Sequence, residues 1–375
     1  MIYLDNAATT RVCEEAAAAA VRMMTEQFGN PSATYKLGRE AKAAVDAARA
    51  QVASALGCKP DEVYFTSCGS EGDNWALLSG ARSMQRKGKH IISSVMEHDA
   101  IRKTLDALEK EGFEVTRLSP AADGSISVEA VKAALRPDTI LVSLMMVNNE
   151  IGTVTDVAGV ARMLKAEKSQ ALLHTDAVQA FLKVPFRADR LGADLITISG
   201  HKIHAPKGIG ALYINSALRL KPFLLGGSQE SGRRAGTEAL PQIAAFAAAA
   251  EIGKAGMAEN VERMRALKEQ ILATLRQDIP ELRWIEAAAP HILSVSLPGW
   301  RSEVLMNYLE AQGVCVSKSS ACKKGARSHV LEAIGLRPEV IDGAIRIGLS
   351  RMSTEDDIDA LCRGLTEAHA RLSHR

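Results

Sequence analysis

Residues 195 to 210 read LITISGHKIHAPKGIG, and their pattern decides the fold. The β-branched run Ile196, Thr197, Ile198 breaks into Ser199-Gly200-His201-Lys202, and Pro206, Gly208 and Gly210 then lead into a second apolar run, Ala211 to Ile214. That is a strand, a tight loop and a strand, with a lysine at the rim. A lysine held at the end of a buried strand sheds its proton cheaply, and an unprotonated amine is what Schiff-base chemistry needs. Alone, a lysine is more often a solvated surface residue. The strand ends around it therefore carry the decision.

Outward from this stretch the chain alternates. Short β-rich runs at Glu62 to Ser67, His90 to Val95, Phe113 to Leu118, Thr139 to Val147, Ala171 to Ala177, Leu195 to Ser199 and Gly210 to Ile214 are mostly separated by helix-length segments. This predicts an α/β fold whose large domain holds a seven-stranded, mainly parallel sheet covered on both faces. Helices are expected over Val12 to Met24 and Arg39 to Leu56, with Gly57 as C-cap. Near residue 250 the texture changes. Helical segments at Ile243 to Glu251 and Met257 to Arg276 precede a strand (Ile292 to Leu297), a helix (Ser302 to Gln312), strands at Val314 to Ser317 and Ala344 to Leu349, and a helix from Thr354 to Leu372. The expected division is a large domain over 13–253 and a smaller α+β domain made of 1–12 with 254–375.

At 375 residues, two domains are the natural expectation. The apolar share is 47%, the charged share 24% and the net charge +2 with interspersed signs, which speaks against a nucleic-acid track or an anionic membrane patch. Six scattered cysteines form no CxxC pair and no zinc spacing, so no metal is expected. The opening MIYLDNAATT lacks a signal-peptide pattern, and no stretch is apolar enough to span a bilayer. A cytoplasmic protein with reduced thiols is expected.

In parallel sheets ligands bind beyond the carboxyl ends of the strands. After the first core strand comes Thr66-Ser67-Cys68-Gly69-Ser70-Glu71-Gly72-Asp73-Asn74, where free N–H groups at a helix start would suit phosphate, or Ser70 or Asp73 would be an ordinary cap. After the second stands Met96-Glu97-His98, a helix-start histidine or a flat ring able to stack on a flat cofactor and move protons. The fourth ends in Asn148-Asn149-Glu150, amides that need partners which a ligand could supply. The fifth ends in Asp176-Ala177-Val178-Gln179; a carboxylate there caps the next segment or meets a cation such as a protonated pyridine nitrogen.

Taken in order, YLDNAATT, FGNPS, TSCGSEGDN, MEH, VNNEIG, HTDAVQ, SGHKIHAPKG, GRRAGTE, SSAC and IRIGLS span essentially the whole chain. In this the sequence resembles the pyridoxal-phosphate cysteine desulfurases of the class V aminotransferase group, the nitrogen-fixation and iron-sulfur assembly type. The resemblance implies fold type I of the pyridoxal-phosphate-dependent transferases and conversion of L-cysteine to L-alanine. It implies that Lys202 carries the cofactor as a Schiff base, that Asp176 pairs with the pyridine nitrogen, that Gln179 touches the ring hydroxyl and that His98 stacks on the ring. Gly69, Ser70, Ser199 and His201 would hold the phosphate. Thr237 would reach the phosphate of a partner subunit, which implies a homodimer. Asn149 and Arg346 would orient the substrate carboxylate.

Cys322, in Val316-Ser317-Lys318-Ser319-Ser320-Ala321-Cys322, matches the family's nucleophile and would carry sulfur as a persulfide for a protein acceptor, an iron-sulfur scaffold or a thiolation enzyme. Cys315 and Cys362 read as packing residues. The chain departs from the family where Lys323-Lys324-Gly325-Ala326-Arg327 follows the cysteine; these cations are expected to favour the thiolate. Gly348 stands where a serine is common, and the tail past Leu372 is shorter than in members that dock a scaffold through it. Selenocysteine lyase, or another pyridoxal enzyme of the same fold, is the alternative reaction, and a vestigial cofactor site in a sulfur-trafficking protein is the non-enzymatic one.

Overall fold

A computed structural model describes residues 1–285, 287–318 and 327–372. A short strand β1 (Ile2–Tyr3) opens the chain. Seven strands follow: β2 (Val63–Thr66), β3 (His90–Ser94), β4 (Glu114–Leu118), β5 (Thr139–Ser143), β6 (Leu172–Asp176), β7 (Leu195–Ser199) and β8 (Gly210–Ile214). They form one sheet in the order β2-β8-β7-β6-β5-β3-β4, parallel from β7 to β4, with β8 antiparallel to both of its neighbours. Except for the edge strand β4, every residue of these strands is buried, as apolar runs covered by helices on both faces require.

The expected strand over Thr139 to Val147 ends at Ser143. Beyond it the N–H of Met145 turns to the Glu97 carboxyl group (3.1 and 3.0 Å to its two oxygens) instead of to a neighbouring strand. Some polar side chains inside the sheet are paired across it: Ser143 Oγ lies 2.9 Å from His174 Nδ1, and His174 Nε2 lies 3.0 Å from Thr197 Oγ1. These bonds meet the demand that buried polar atoms find partners. One face is covered by the helix Gly69–Met84. On the other, the alanine-rich helix Leu240–Ala255 packs on the helices Glu14–Thr25 and Lys36–Leu56.

The last third adds β9 (Arg283–Ile285), β10 (Ile292–Ser296), β11 (Val314–Cys315), β12 (Ser317–Lys318) and β13 (Ala344–Gly348). An antiparallel sheet runs β12-β13-β10-β9, and β11 pairs in parallel with β1. The segment expected as one strand over Val314 to Ser317 is thus two, split at Val316 because its halves join different partners. A second core gathers Leu4, Leu267, Ile271, Val295, Trp300, Ile345, Ile347 and Leu361. Ala7, three residues after Leu4, belongs to the core of the large sheet. The N-terminal segment therefore crosses from one core to the other.

Candidate active site

The carboxyl ends of β2, β3, β5, β6 and β7 open onto a cavity of about 480 Å³. Its lining includes Gly69, Ser70, His98, Asn149, Asp176, Gln179, Ser199, His201, Lys202 and Arg346. Residues spread over almost 280 positions of sequence are brought together because those of the large sheet follow, or end, parallel strands that point the same way, while Arg346 reaches in from β13 of the smaller sheet. Thr237 is exposed and does not line this cavity. Cys322 lies outside the described residues. Of the residues that flank it, Arg327 lines the cavity, and the hydroxyl of Ser317 accepts a hydrogen bond from Arg346 Nη2 (2.9 Å).

Lys202 closes the single 3-10 turn Gly200–Lys202 after β7. Its amine donates to the carbonyls of Ala7 and Ala8, each at 2.7 Å. Among the described residues no carboxylate is bonded to it, and burial, with Arg346 adding, lowers it to about 8 from the ordinary lysine value of 10.5. Asp176 ends β6 and accepts the N–H of Val178 (2.9 Å), so it caps the next turn while facing the cavity. Burial raises its carboxyl; the N–H of Val178, His98 and Lys202 oppose that rise. The site thus offers a carboxyl in want of a cation.

The helix Gly69–Met84 starts at the cavity with Cys68 as N-cap and no side-chain cap, which leaves first-turn N–H groups free. Asp73 is not a cap but lies buried inside that helix. A Cβ on Gly69 would stand 2.8 Å from Val178 Cγ2, so only glycine fits this approach. Beside it the buried hydroxyl of Ser199 has no hydrogen-bond partner among the described residues. The loop that carries Thr237 is tied to this turn: Arg234 Nε donates to Glu71 Oε1 at 2.7 Å, and Glu71 Oε2 accepts the N–H of Ser67 at 2.7 Å.

His98 both caps and lines. As N-cap of the helix Asp99–Lys110 its Nδ1 accepts the N–H of Ala100 (3.2 Å), and its ring borders the cavity. The two asparagines differ. Asn148 is saturated by protein, donating to Met96 O (3.1 Å) and accepting from the N–H groups of Glu150 and Ile151, whereas Asn149 faces the cavity and its carbonyl accepts from Arg346 Nη1 (2.7 Å). Arg346, on β13, is also held by Asp5 Oδ1 (3.0 Å), which leaves its Nε without a partner. Asp5 stands in the quoted YLDNAATT as a turn residue, and nothing in that motif announces its pairing with Arg346. Glu97 was missed beside His98: burial lifts it to about 8. Glu150, bonded to the hydroxyl of Ser328, is lifted to about 7 by the same cause.

A parallel sheet with a buried lysine whose amine is lowered to about 8, an unsatisfied carboxyl and an uncapped helix start at one mouth defines a class of cofactor-dependent α/β enzyme, and the comparisons identify it. Residues 2–361 match the family model Aminotransferase class-V, and the chain belongs to that family. It is 40% identical over 371 residues, 98% of this chain and 91% of the relative, to the cysteine desulfurase IscS of Methanosarcina thermophila. Among solved structures, a NifS-like protein superposes with a TM-score of 0.93 at 35% identity, covering 99% of this chain and 100% of that one. SspA in complex with cysteine superposes with a TM-score of 0.81 at 31% identity, covering 94% of this chain and 100% of that one.

Proposed function

We propose that this chain is a cysteine desulfurase that uses pyridoxal 5'-phosphate to convert L-cysteine to L-alanine. The observation that carries the reading is one cavity in which the Lys202 amine, the Asp176 carboxyl, the partnerless Ser199 hydroxyl, Gln179, His98 and Arg346 converge. These residues fit the cofactor: Lys202 for its aldehyde, Asp176 for its pyridine nitrogen, Gln179 for its hydroxyl, His98 for its ring face. Gly69, Ser70, Ser199 and His201 suit its phosphate. Bound there, pyridoxal phosphate supplies an electron sink that acidifies the Cα proton of an attached amino acid.

The chain's own residues do the rest. Arg346, preorganised by Asp5, Ser317 and the Asn149 carbonyl, receives the substrate carboxylate, with Asn149 beside it. Lys202 Nζ, released from its covalent role, takes the Cα proton; with its amine near 8 it is a base matched to neutral pH. The thiolate of Cys322 takes the sulfur: the S–S bond forms as the substrate C–S bond breaks, protons return to carbon, and alanine leaves with no external oxidant. The persulfide then passes to an acceptor protein, an iron-sulfur scaffold or a thiolation enzyme.

The same reading makes the enzyme a cytoplasmic homodimer in which Thr237 serves the partner's phosphate, with domains at 13–253 and at 1–12 with 254–375. The Arg234–Glu71 pair, which fastens the loop of Thr237 to the phosphate turn, supports the first. The two separate cores support the second. Among the described residues no helix is long and apolar enough to cross a membrane.

The test is mass spectrometry of the protein after L-cysteine, under non-reducing conditions. Wild type gains one sulfur on the peptide that holds Cys322, and Cys322→Ser gains none while keeping the cofactor. Alanine release that survives in Cys322→Ser rejects the assignment.

A further inference from the structure

Behind the cavity lies a second buried lysine that the mechanism above leaves without a task. Lys183 is 7% exposed, and among the described residues the one hydrogen bond of its side chain runs from Nζ to Gln179 Oε1 at 3.3 Å. Gln179 is held at its other end too, for its Nε2 donates to the carbonyl of Ala7 at 2.8 Å. That same carbonyl accepts from Lys202 Nζ at 2.7 Å. It is therefore shared between the lysine that changes partners during the reaction and the glutamine, whereas the contact with Lys183 belongs to Gln179 alone.

The chain spends strain to bring Lys183 inward. Leu182, immediately before it, has φ +59°, a left-handed conformation that costs a β-carbon-bearing residue about 1 kcal/mol or more. Gly253 makes room: a Cβ there would stand 2.8 Å from Leu182 Cδ1. Such strain persists only where the surroundings impose it. Among the described residues, the charged and titratable groups recorded beside Lys183 are Lys202, His201, His204, His291 and Arg351, all of them basic, and no carboxylate is bonded to its amine.

We propose that Lys183 is a positioning residue that fixes the Gln179 amide, oxygen inward to Lys183 and nitrogen outward, so that an N–H of Gln179 is what the cofactor's ring hydroxyl meets. An amide's oxygen and nitrogen ends are nearly equal in shape, and only the partners of each end choose between them. The carbonyl of Ala7 can accept only, which demands nitrogen; Lys183 donates, which demands oxygen. Both choices agree, and one N–H is left for the ring. This inference rests on the proposed function, because it concerns how the site addresses pyridoxal phosphate.

The test uses the cofactor-loaded, full-length protein and follows the pH midpoint of its visible absorption band, which a purely structural residue would not move. In Lys183→Met the midpoint rises by about half to one pH unit, the size of one lost hydrogen bond. In a Gln179→Leu background the same substitution moves it by less than half as much, since Lys183 acts through Gln179. Equal shifts in both backgrounds, or no shift in either, overturn the proposal. If Lys183→Met does not fold, the cycle is run with Lys183→Gln, whose shorter arm leaves Gln179 Oε1 unmet, and the same outcomes decide. Borohydride reduction of the loaded wild type separates the two levels: no cofactor fixed on Lys202 overturns the proposed function itself, whereas a fixed cofactor with an unmoved midpoint overturns the role of Lys183 alone.

Discussion

Lys202 is lowered by burial and by Arg346 nearby, and its amine meets two backbone carbonyls and, among the described residues, no bonded carboxylate. Its folded value of about 8 lies below the unfolded lysine value, so between these two the unfolded chain binds the more protons. Two consequences follow with definite sign. This lysine makes the cofactor-free protein gain stability as pH rises from about 8 toward 10.5, and destabilises it most below that window. Cofactor loading by the apoprotein, followed by stopped-flow absorbance, accelerates about tenfold per pH unit below about 8 and levels off above it, as the neutral amine becomes the major form. Loading that is flat from pH 6 to 8 contradicts this account.

Among the elements, the weight of the site's near wall rests on a junction far from the chemistry. The short turn Gln229–Gly232 presents Glu230, 7% exposed, to the helix Lys36–Leu56, whose Arg49 grips it at 2.7 and 2.8 Å. The same carboxylate accepts the N–H of Phe65 in β2 at 2.9 Å, the strand that leads into the phosphate turn. Removing one partner of a buried pair leaves the other charge uncompensated, which costs about 3 to 5 kcal/mol. Arg49→Met therefore lowers the unfolding free energy measured by urea titration by that amount, while Arg82→Met, which breaks the exposed Arg82–Glu111 pair, lowers it by about 1 kcal/mol or less. Equal losses in the two variants contradict the assignment of the buried pair.

At the scale of the whole molecule, the surface carries Val21, Met24, Phe28, Tyr35 and Leu225 with more than half of each side chain exposed. Side chains of this kind, together with Thr237 outside its own cavity, suit an assembly of two copies. Light scattering behind a sizing column is expected to read about twice the 40.1 kDa chain mass. Pairing a Lys202→Ala chain with a Thr237→Ala chain concentrates both defects at one of the two sites if Thr237 reaches across, and the other site stays fully active. A monomer at micromolar concentration, or mixed pairs with no better activity than either parent, counts against it.

Much of this was legible in one dimension, and the reason is periodicity. Buried parallel strands must be short apolar runs and covering helices must be amphipathic, so the seven-stranded sheet could be read from alternation alone, with its strand ends at most a residue off except at β5, where Glu97 takes the N–H of Met145. Lys202, Asp176 and His98 could be found because the carboxyl ends of parallel strands are where ligands bind. What the linear sequence could not show is partnership between distant residues. That Asp5 braces Arg346, that Ala7 shares its carbonyl between Lys202 and Gln179, and that Lys183 turns inward behind a left-handed Leu182 are facts of packing across as many as 341 positions. Sequence determined the elements and the chemistry available at their ends, because those depend on neighbours along the chain. Tertiary structure alone decided which carboxyls are raised, which lysine is lowered and which side chains meet at the cavity, because those depend on burial and on neighbours through space.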